Sequence, residues 1–380
     1  KGFPTTSVKD LVIQPREHDL VIGTFGRAAW VLDDIRPLRA IAKDNSTLSR
    51  KLQLFQPPTA YQAAYQQPTG SRFGGDALYN AENRGRGAHI SYYVKKDEIS
   101  ASADTKEKDE EDEDEISASA DTEVKKITWD SIHLKIYDGE RQIRHLKWKT
   151  PDSTGIHKTR WFMNEAGGDR PSRSVRKRTN ESGGVDVKPG TYRLEMSYGD
   201  QTSTSTITVE SDPRIDVPQK AINDAYEVGK TLEGLTQTAA DAVKQLVESK
   251  TIAEDYKKML KKIDEDDAHK DDLKSIGEMV KRIDEVIALY LGKEDKRQGI
   301  TRNPEMTVMR RIGLARGYAG SRPNGLTATE NLLIQQAKDQ FQAALETTNT
   351  FFTEEWTPFQ SKLEALDVKP FKEIKRFQMN

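Results

Sequence analysis

Residues 19–34 read Asp19-Leu-Val-Ile-Gly-Thr-Phe-Gly-Arg-Ala-Ala-Trp-Val-Leu-Asp-Asp34, and the reading of this stretch decides how the rest of the chain is organised. Leu20, Val21 and Ile22 form a β-prone run, Gly23 to Gly26 punctuates it, and Ala29, Trp30, Val31 and Leu32 form a second run that stops at Asp33-Asp34. The pattern predicts a tight two-strand unit. An isolated hairpin is marginal in water, so the pair is expected to complete a larger sheet system. The alternative is that residues 1–40 pair within the next domain.

The stretch resembles the closing blade of the sortilin-like, BNR-repeat β-propeller proteins, whose members carry a run like Asp-Leu-Val-Ile-Gly-Thr-His-Gly-Arg, then Trp-Val-Leu-Asp-Asp and Pro-Leu. Here the matching residues are Asp19 to Arg27, Trp30 to Asp34 and Pro37-Leu38, with Phe25 in place of the usual His. The similarity continues through Phe55-Gln-Pro-Pro58, Gly87-Ala-His-Ile-Ser-Tyr-Tyr93, Lys188-Pro-Gly-Thr-Tyr192 and Asp212-Pro-Arg214, and into the C-terminal region. A propeller needs several four-stranded blades, and the chain opens at Lys1. The resemblance therefore implies the C-terminal portion of a longer exported bacterial protein, found in the periplasm, at the outer-membrane surface or outside a Gram-negative cell. It implies as partners the propeller portion of the same protein and a partner protein or glycan at the cell surface. Family members are often labelled glycosyl hydrolases, which supplies the alternative reading of a glycoside hydrolase or peptidase whose active site lies in an N-terminal propeller.

Composition sets outer bounds. The 380 residues allow two or three domains, and 35% hydrophobic residues suffice for several modest cores. A net charge of −2 exerts no global pull toward nucleic acid or an anionic membrane. No apolar run approaches the roughly 20 residues that span a bilayer, so no transmembrane segment is expected. The absence of cysteine excludes disulfides, thiolate metal sites and cysteine nucleophiles.

Outward from the opening stretch, residues 41–75 read as a polar linker into an extended segment, with Pro57-Pro58 forbidding helix. Arg84-Gly-Arg-Gly87 reads as an ordinary loop, and His89 to Val94 as a strand. The nonapeptide Asp-Glu-Ile-Ser-Ala-Ser-Ala-Asp-Thr occurs at 97–105 and again at 114–122. Residues 97–123 hold 13 acidic side chains against Lys106 and Lys108, a net −11 that leaves +9 for the rest. Such a tract cannot bury enough apolar surface to offset its ordering entropy, so a solvated acidic loop is expected. Its spacing does not match an EF-hand calcium loop. Arg170, Arg173, Arg176, Lys177 and Arg178 crowd a second loop, read as solvated, as a polyanion site or as a weak partner of the acidic loop.

From Ile127 to Arg214 the period is two. Ile132, Leu134 and Ile136 alternate with polar residues, Tyr137-Asp-Gly-Glu140 makes a hairpin turn, and Trp161-Phe-Met163, Tyr192 to Met196 and Ile207 to Val209 supply further strands. About seven short strands predict an immunoglobulin-like or fibronectin-like β-sandwich. After Pro218 the period becomes 3.6: Ile222, Tyr226, Gly229, Leu232, Thr236, Ala239, Val243 and Val247 share one face. Thr251 to Glu254 reads as a capping box opening a new helix, Gly292 as a stop, Asn303-Pro304 as a helix start, Arg316 to Gly325 as a break, Thr327 to Glu330 as a second capping box, and Pro358 as a bend. The tail is expected to be an antiparallel helical bundle of about four helices. The chain is thus expected to be multidomain α+β: residues 1–45 as the last propeller-blade strands, 46–126 as linker and first sandwich strands with the acidic loop, 127–215 as the β-sandwich and 216–380 as the helical bundle.

No catalytic, cofactor-binding or metal residue is assigned from the sequence. The six histidines, at 18, 89, 133, 145, 157 and 269, show no His-Glu-x-x-His spacing. No Gly-x-Ser-x-Gly elbow, P-loop or dinucleotide fingerprint occurs, and Asp152-Ser-Thr-Gly155 is only a poor echo of a sialidase Asp box. Asp33-Asp34 is the one carboxylate pair of note. Adjacent strand residues point to opposite faces, which argues against a joint role. The expected work is binding or scaffolding without catalysis.

Overall fold

The computed structural model describes residues 3–63, 85–96, 130–175, 180–263, 268–294, 305–321 and 324–366. The repeated acidic tract at 97–123, the basic residues 176–178 and the expected helix start at Asn303-Pro304 lie outside the described residues. The chain is a mixed α+β protein of two compact units, Lys1–Ala166 with Asp186–Asp216, and Gly167–Val185 with Val217–Asn380.

The first unit opens with three strands, not two: β1 (Val8–Gln14), β2 (Asp19–Thr24) and β3 (Ala29–Leu32) form an antiparallel sheet in the order β1-β2-β3. The additional strand was hidden because Lys9-Asp10 interrupts its apolar run, where the register shifts between Val8 and Asp10. Leu11 pairs with Ile22, and Ile22 with Trp30, so these side chains share one face. Val12, Val21 and Val31 are likewise in line on the other face. Both faces are apolar. Yet Leu11, Val12 and Val31 are 57%, 55% and 58% exposed. A short helix, α1 (Arg36–Lys43), follows with Pro37 in its first turn, and a 3₁₀ turn at Asn45–Ser49 occupies what reads in sequence as linker.

The remaining strands are β4 (Leu52–Leu54), β5 (Ala60–Gln62), β6 (Ala88–Val94), β7 (Ser131–Asp138), β8 (Arg141–Lys149), β9 (Gly155–Trp161), β10 (Asn164–Gly167), β11 (Ser182–Asp186), β12 (Gly190–Tyr198) and β13 (Gln201–Ser211). A five-stranded sheet runs β5-β13-β12-β7-β8 and a three-stranded sheet runs β4-β6-β9, while β10 and β11 make a separate two-stranded ribbon. All pairings in the two larger sheets are antiparallel except β5 with β13, which is parallel. The hairpins β7-β8 and β12-β13 turn at Gly139 and Gly199, both at φ +58°, a conformation that glycine adopts without steric cost.

The period-two pattern has a simple consequence. Ile132, Leu134, Ile136, Leu194, Met196 and Ile207 all point inward and are fully buried, as are Ile90 and Val94 on the facing sheet. Each such side chain contributes about 1.5–3 kcal/mol on burial. Trp161 anchors this core: its ring meets Tyr192 edge-on at 5.5 Å and its indole N–H donates to the carbonyl of Asn164 at 2.8 Å. β9 ends at Trp161, so the expected strand at 161–163 stops short. Met163 takes a left-handed φ of +55°, and its carbonyl accepts from the N–H of Val187.

In the second unit, α2 (Gln219–Ile263), α3 (Lys270–Leu291), α4 (Val308–Gly320), α5 (Ala328–Thr350) and α6 (Thr357–Glu364) surround one apolar core. α2 runs unbroken through Thr251, so no capping box operates there. The Thr251 hydroxyl instead donates to the carbonyl of Val247, four residues back, and the buried stripe continues through Leu246, Ala253 and Leu260. The second box is present: the Glu330 carboxylate accepts from the Thr327 N–H at 2.9 Å and also from its hydroxyl. α4 extends through Arg316, Gly317 and Gly320, because buried Ile312, Ala315 and Ala319 hold it despite its glycines. Gly292 closes α3 at φ +80°. Ahead of Pro358 the chain makes a π-helical turn, Phe351–Trp356, which relieves the i−4 clash that a proline brings into a helix.

Candidate functional site

The described residues bring together two clusters of chemistry-bearing side chains in the first unit. One lies where β3 ends. The strand stops at Leu32, and Asp34 takes a left-handed φ of +54°, so the alternation that would send Asp33 and Asp34 to opposite faces does not reach them. Both line one cleft, with His89, Ser91, Lys158, Thr159 and Arg160. The cleft is about 250 Å³.

Its floor is set by strand pairing. In β6 and β9, His89 stands opposite Arg160, and Ser91 opposite Lys158, so four polar side chains project from one patch of sheet. The Lys158 ammonium donates to the carbonyl of Asp33 at 2.8 Å, tying floor to wall. Asp34 is occupied locally. Arg36 Nε donates to its carboxylate at 2.5 Å, and the Asp34 N–H donates to the Asp19 carboxylate at 2.8 Å. These bonds end the sheet and start α1. Asp33 is exposed and Asp34 buried, so the pair is not a matched set of catalytic carboxylates.

The second cluster is a hydrogen-bonded chain on the polar face of the five-stranded sheet. The Ser131 hydroxyl donates to Asp130 at 3.3 Å and lies 3.2 Å from His133 Nε2, while His133 Nδ1 lies 2.8 Å from His145 Nε2. The two imidazoles are 21° from coplanar with centroids 5.0 Å apart, the geometry of an in-plane bond in which their nitrogens face one another. With the Ser131 hydroxyl donating to Asp130, the chain of donors runs from His145 Nε2–H to His133 Nδ1, and from His133 Nε2–H to Ser131. Burial, then the neighbouring His145, Lys147 and Lys135, hold His133 below its ordinary value, with Asp130 opposing them.

Among the described residues no group of three or more His, Cys, Asp or Glu is placed to hold a metal ion. No helix among them is long and apolar enough to cross a membrane. The remaining histidines are dispersed: His18 contacts Arg39, His157 bonds the carbonyl of Ser153, and His269 faces Asp272. In the basic loop, Arg173 donates to the carbonyl of Gly292.

Sequence reasoning singled out Asp33-Asp34 but missed the cleft, because His89, Ser91, Lys158 and Arg160 come from strands some 70 residues apart in sequence. The signal available was polar alternation, His89-x-Ser91 in a strand whose other positions are apolar or aromatic, and Lys158-x-Arg160 in a second strand. Compared with known proteins, the chain matches no family model, no curated protein and no solved structure.

Proposed function

We propose that this chain is a non-catalytic accessory and scaffold portion of an exported bacterial β-propeller protein, binding a partner protein or glycan. The observation that carries the reading is the β1–β3 sheet, which is apolar on both faces and exposed on both. A sheet of a sandwich needs one apolar face, whereas a propeller blade is packed between two neighbours and needs two. Exposed apolar surface of this extent marks a contact surface. On this reading other blades cover β1–β3, the β4–β13 strands form an immunoglobulin-like or fibronectin-like sandwich, and the helices form an antiparallel bundle. The sandwich reading is supported by Tyr192, whose hydroxyl donates to the carbonyl of Lys188 at 2.5 Å in the manner of the tyrosine corner of Greek-key sandwiches.

The test is the intact mass and N-terminal sequence of the protein isolated from its natural source. The expected result is additional sequence ahead of Lys1 with the strand periodicity of several blades. A natural protein without it overturns the reading, and converging carboxylates or metal ligands within such blades would favour a hydrolase instead.

A further inference from the structure

We propose that the cleft between the end of β3 and the outer face of β6 and β9 binds a free α-amino acid, its carboxylate on Lys158 and Arg160 and its ammonium on Asp33. The inference is independent of the propeller reading and rests on how charge is distributed over this one cavity. Its two walls are opposite in sign. The turn after β3 supplies Asp33 and Asp34, and β9 supplies Lys158 and Arg160. Arg36 already matches Asp34, so the charges left to meet a ligand are one carboxylate facing two cations. A simple anion would satisfy the cations but meet Asp33, and a simple cation would meet the reverse. A dipolar molecule satisfies both.

A second observation points the same way. Ser91 lines the cleft, and its hydroxyl, which makes no hydrogen bond to the described residues, is open to solvent there. That hydroxyl can donate to, or accept from, a group that enters the cleft. His89 Nε2–H donates to the carbonyl of Gly85 at 2.7 Å, which fixes the ring where it lines the cleft. Lys158 commits one of its three N–H donors to the Asp33 carbonyl and retains two. The cleft thus offers cationic donors and a hydroxyl to a carboxylate, and a carboxylate to an ammonium.

Size narrows the class. At about 250 Å³ the cavity is below the roughly 300–1,000 Å³ range of drug-sized sites, so the ligand is small. No Phe, Tyr or Trp ring lines it, which disfavours a sugar. Nothing in the lining forms an apolar pocket for a side chain, so discrimination between small amino acids is expected to be weak.

The experiment is a chemical-shift titration of the ¹⁵N-labelled chain with L-alanine, acetate, methylammonium and glucose at neutral pH. The expected result is saturable shifts at His89, Ser91 and Lys158 with L-alanine, at a Kd on the order of 1 mM. Acetate and methylammonium, each using one wall, should bind at least tenfold more weakly. The double variant Lys158→Ala, Arg160→Ala should weaken L-alanine at least tenfold, and Asp33→Asn should do the same without weakening acetate. All three side chains are exposed, so the variants are expected to fold, and an unchanged spectrum away from the cleft checks this. Absence of saturable shifts with L-alanine overturns the proposal. So does acetate binding as tightly as L-alanine, glucose binding in its place, or Asp33→Asn leaving L-alanine binding intact.

Discussion

The β1–β3 sheet and the five-stranded sheet are built from the same kind of residue and end in opposite states. In the five-stranded sheet, Ile132, Leu134 and Ile136 pair laterally with Tyr198, Met196 and Leu194 and are covered by β4 and β6, while His133, Lys135 and Lys147 face outward. In the β1–β3 sheet, Leu11 pairs with Ile22 and Val12 with Val21 just as well, yet no second layer removes them from water among the described residues. Hydrogen bonding and register are therefore not what distinguishes the two. The apolar contribution to stability comes with the covering layer, because it scales with area removed from water and not with strand formation.

The largest test of that comparison is truncation of matched residues. Leu194→Ala should cost about 2–5 kcal/mol in urea unfolding, since it empties a fully buried site. Leu11→Ala, at a site already wet, should stay within about 0.5 kcal/mol. Equal costs would show that β1–β3 is packed after all. A smaller effect is expected of Tyr192→Phe, which removes the hydroxyl bond to Lys188 but keeps the ring against Trp161: about 1 kcal/mol by the same measurement. The sharpest contrast in kind is pH. His133 has its folded pKa held below 6.5, chiefly by burial, so the unfolded chain binds more protons and stability falls as pH drops from about 7 through that value. The loss levels off once the pH is below the folded pKa. Melting temperature followed from pH 7.5 to 5 should show this slope, and His133→Asn should flatten it. Survival of the slope in the variant would assign it to other groups.

The local chemistry of the fold was legible. Thr327 with Glu330, Gly292, and the turn at Gly139 act through bonds and φ angles within a few residues, and each appears where its sequence signal lies. Signals of the same local kind failed where a long-range core outvoted them. Thr251 to Glu254 reads as a helix start, but Leu246, Ala253 and Leu260 keep one buried stripe running through it. Arg316 to Gly320 reads as a break, but Ile312, Ala315 and Ala319 are inside. β1 was missed because a charged pair interrupts its run.

The candidate site followed the same division. Asp33-Asp34 was visible as a pair, whereas the cleft was not, since its floor exists only where β6 and β9 pair His89 with Arg160 and Ser91 with Lys158. By itself the sequence determined the periods, the caps, the turns and an α+β composition, because those depend on neighbours at i±1 to i±4. The tertiary structure alone decided which apolar faces are buried, which helices continue and which charges meet. Those outcomes depend on residues tens of positions apart, and no local pattern encodes the distance between them.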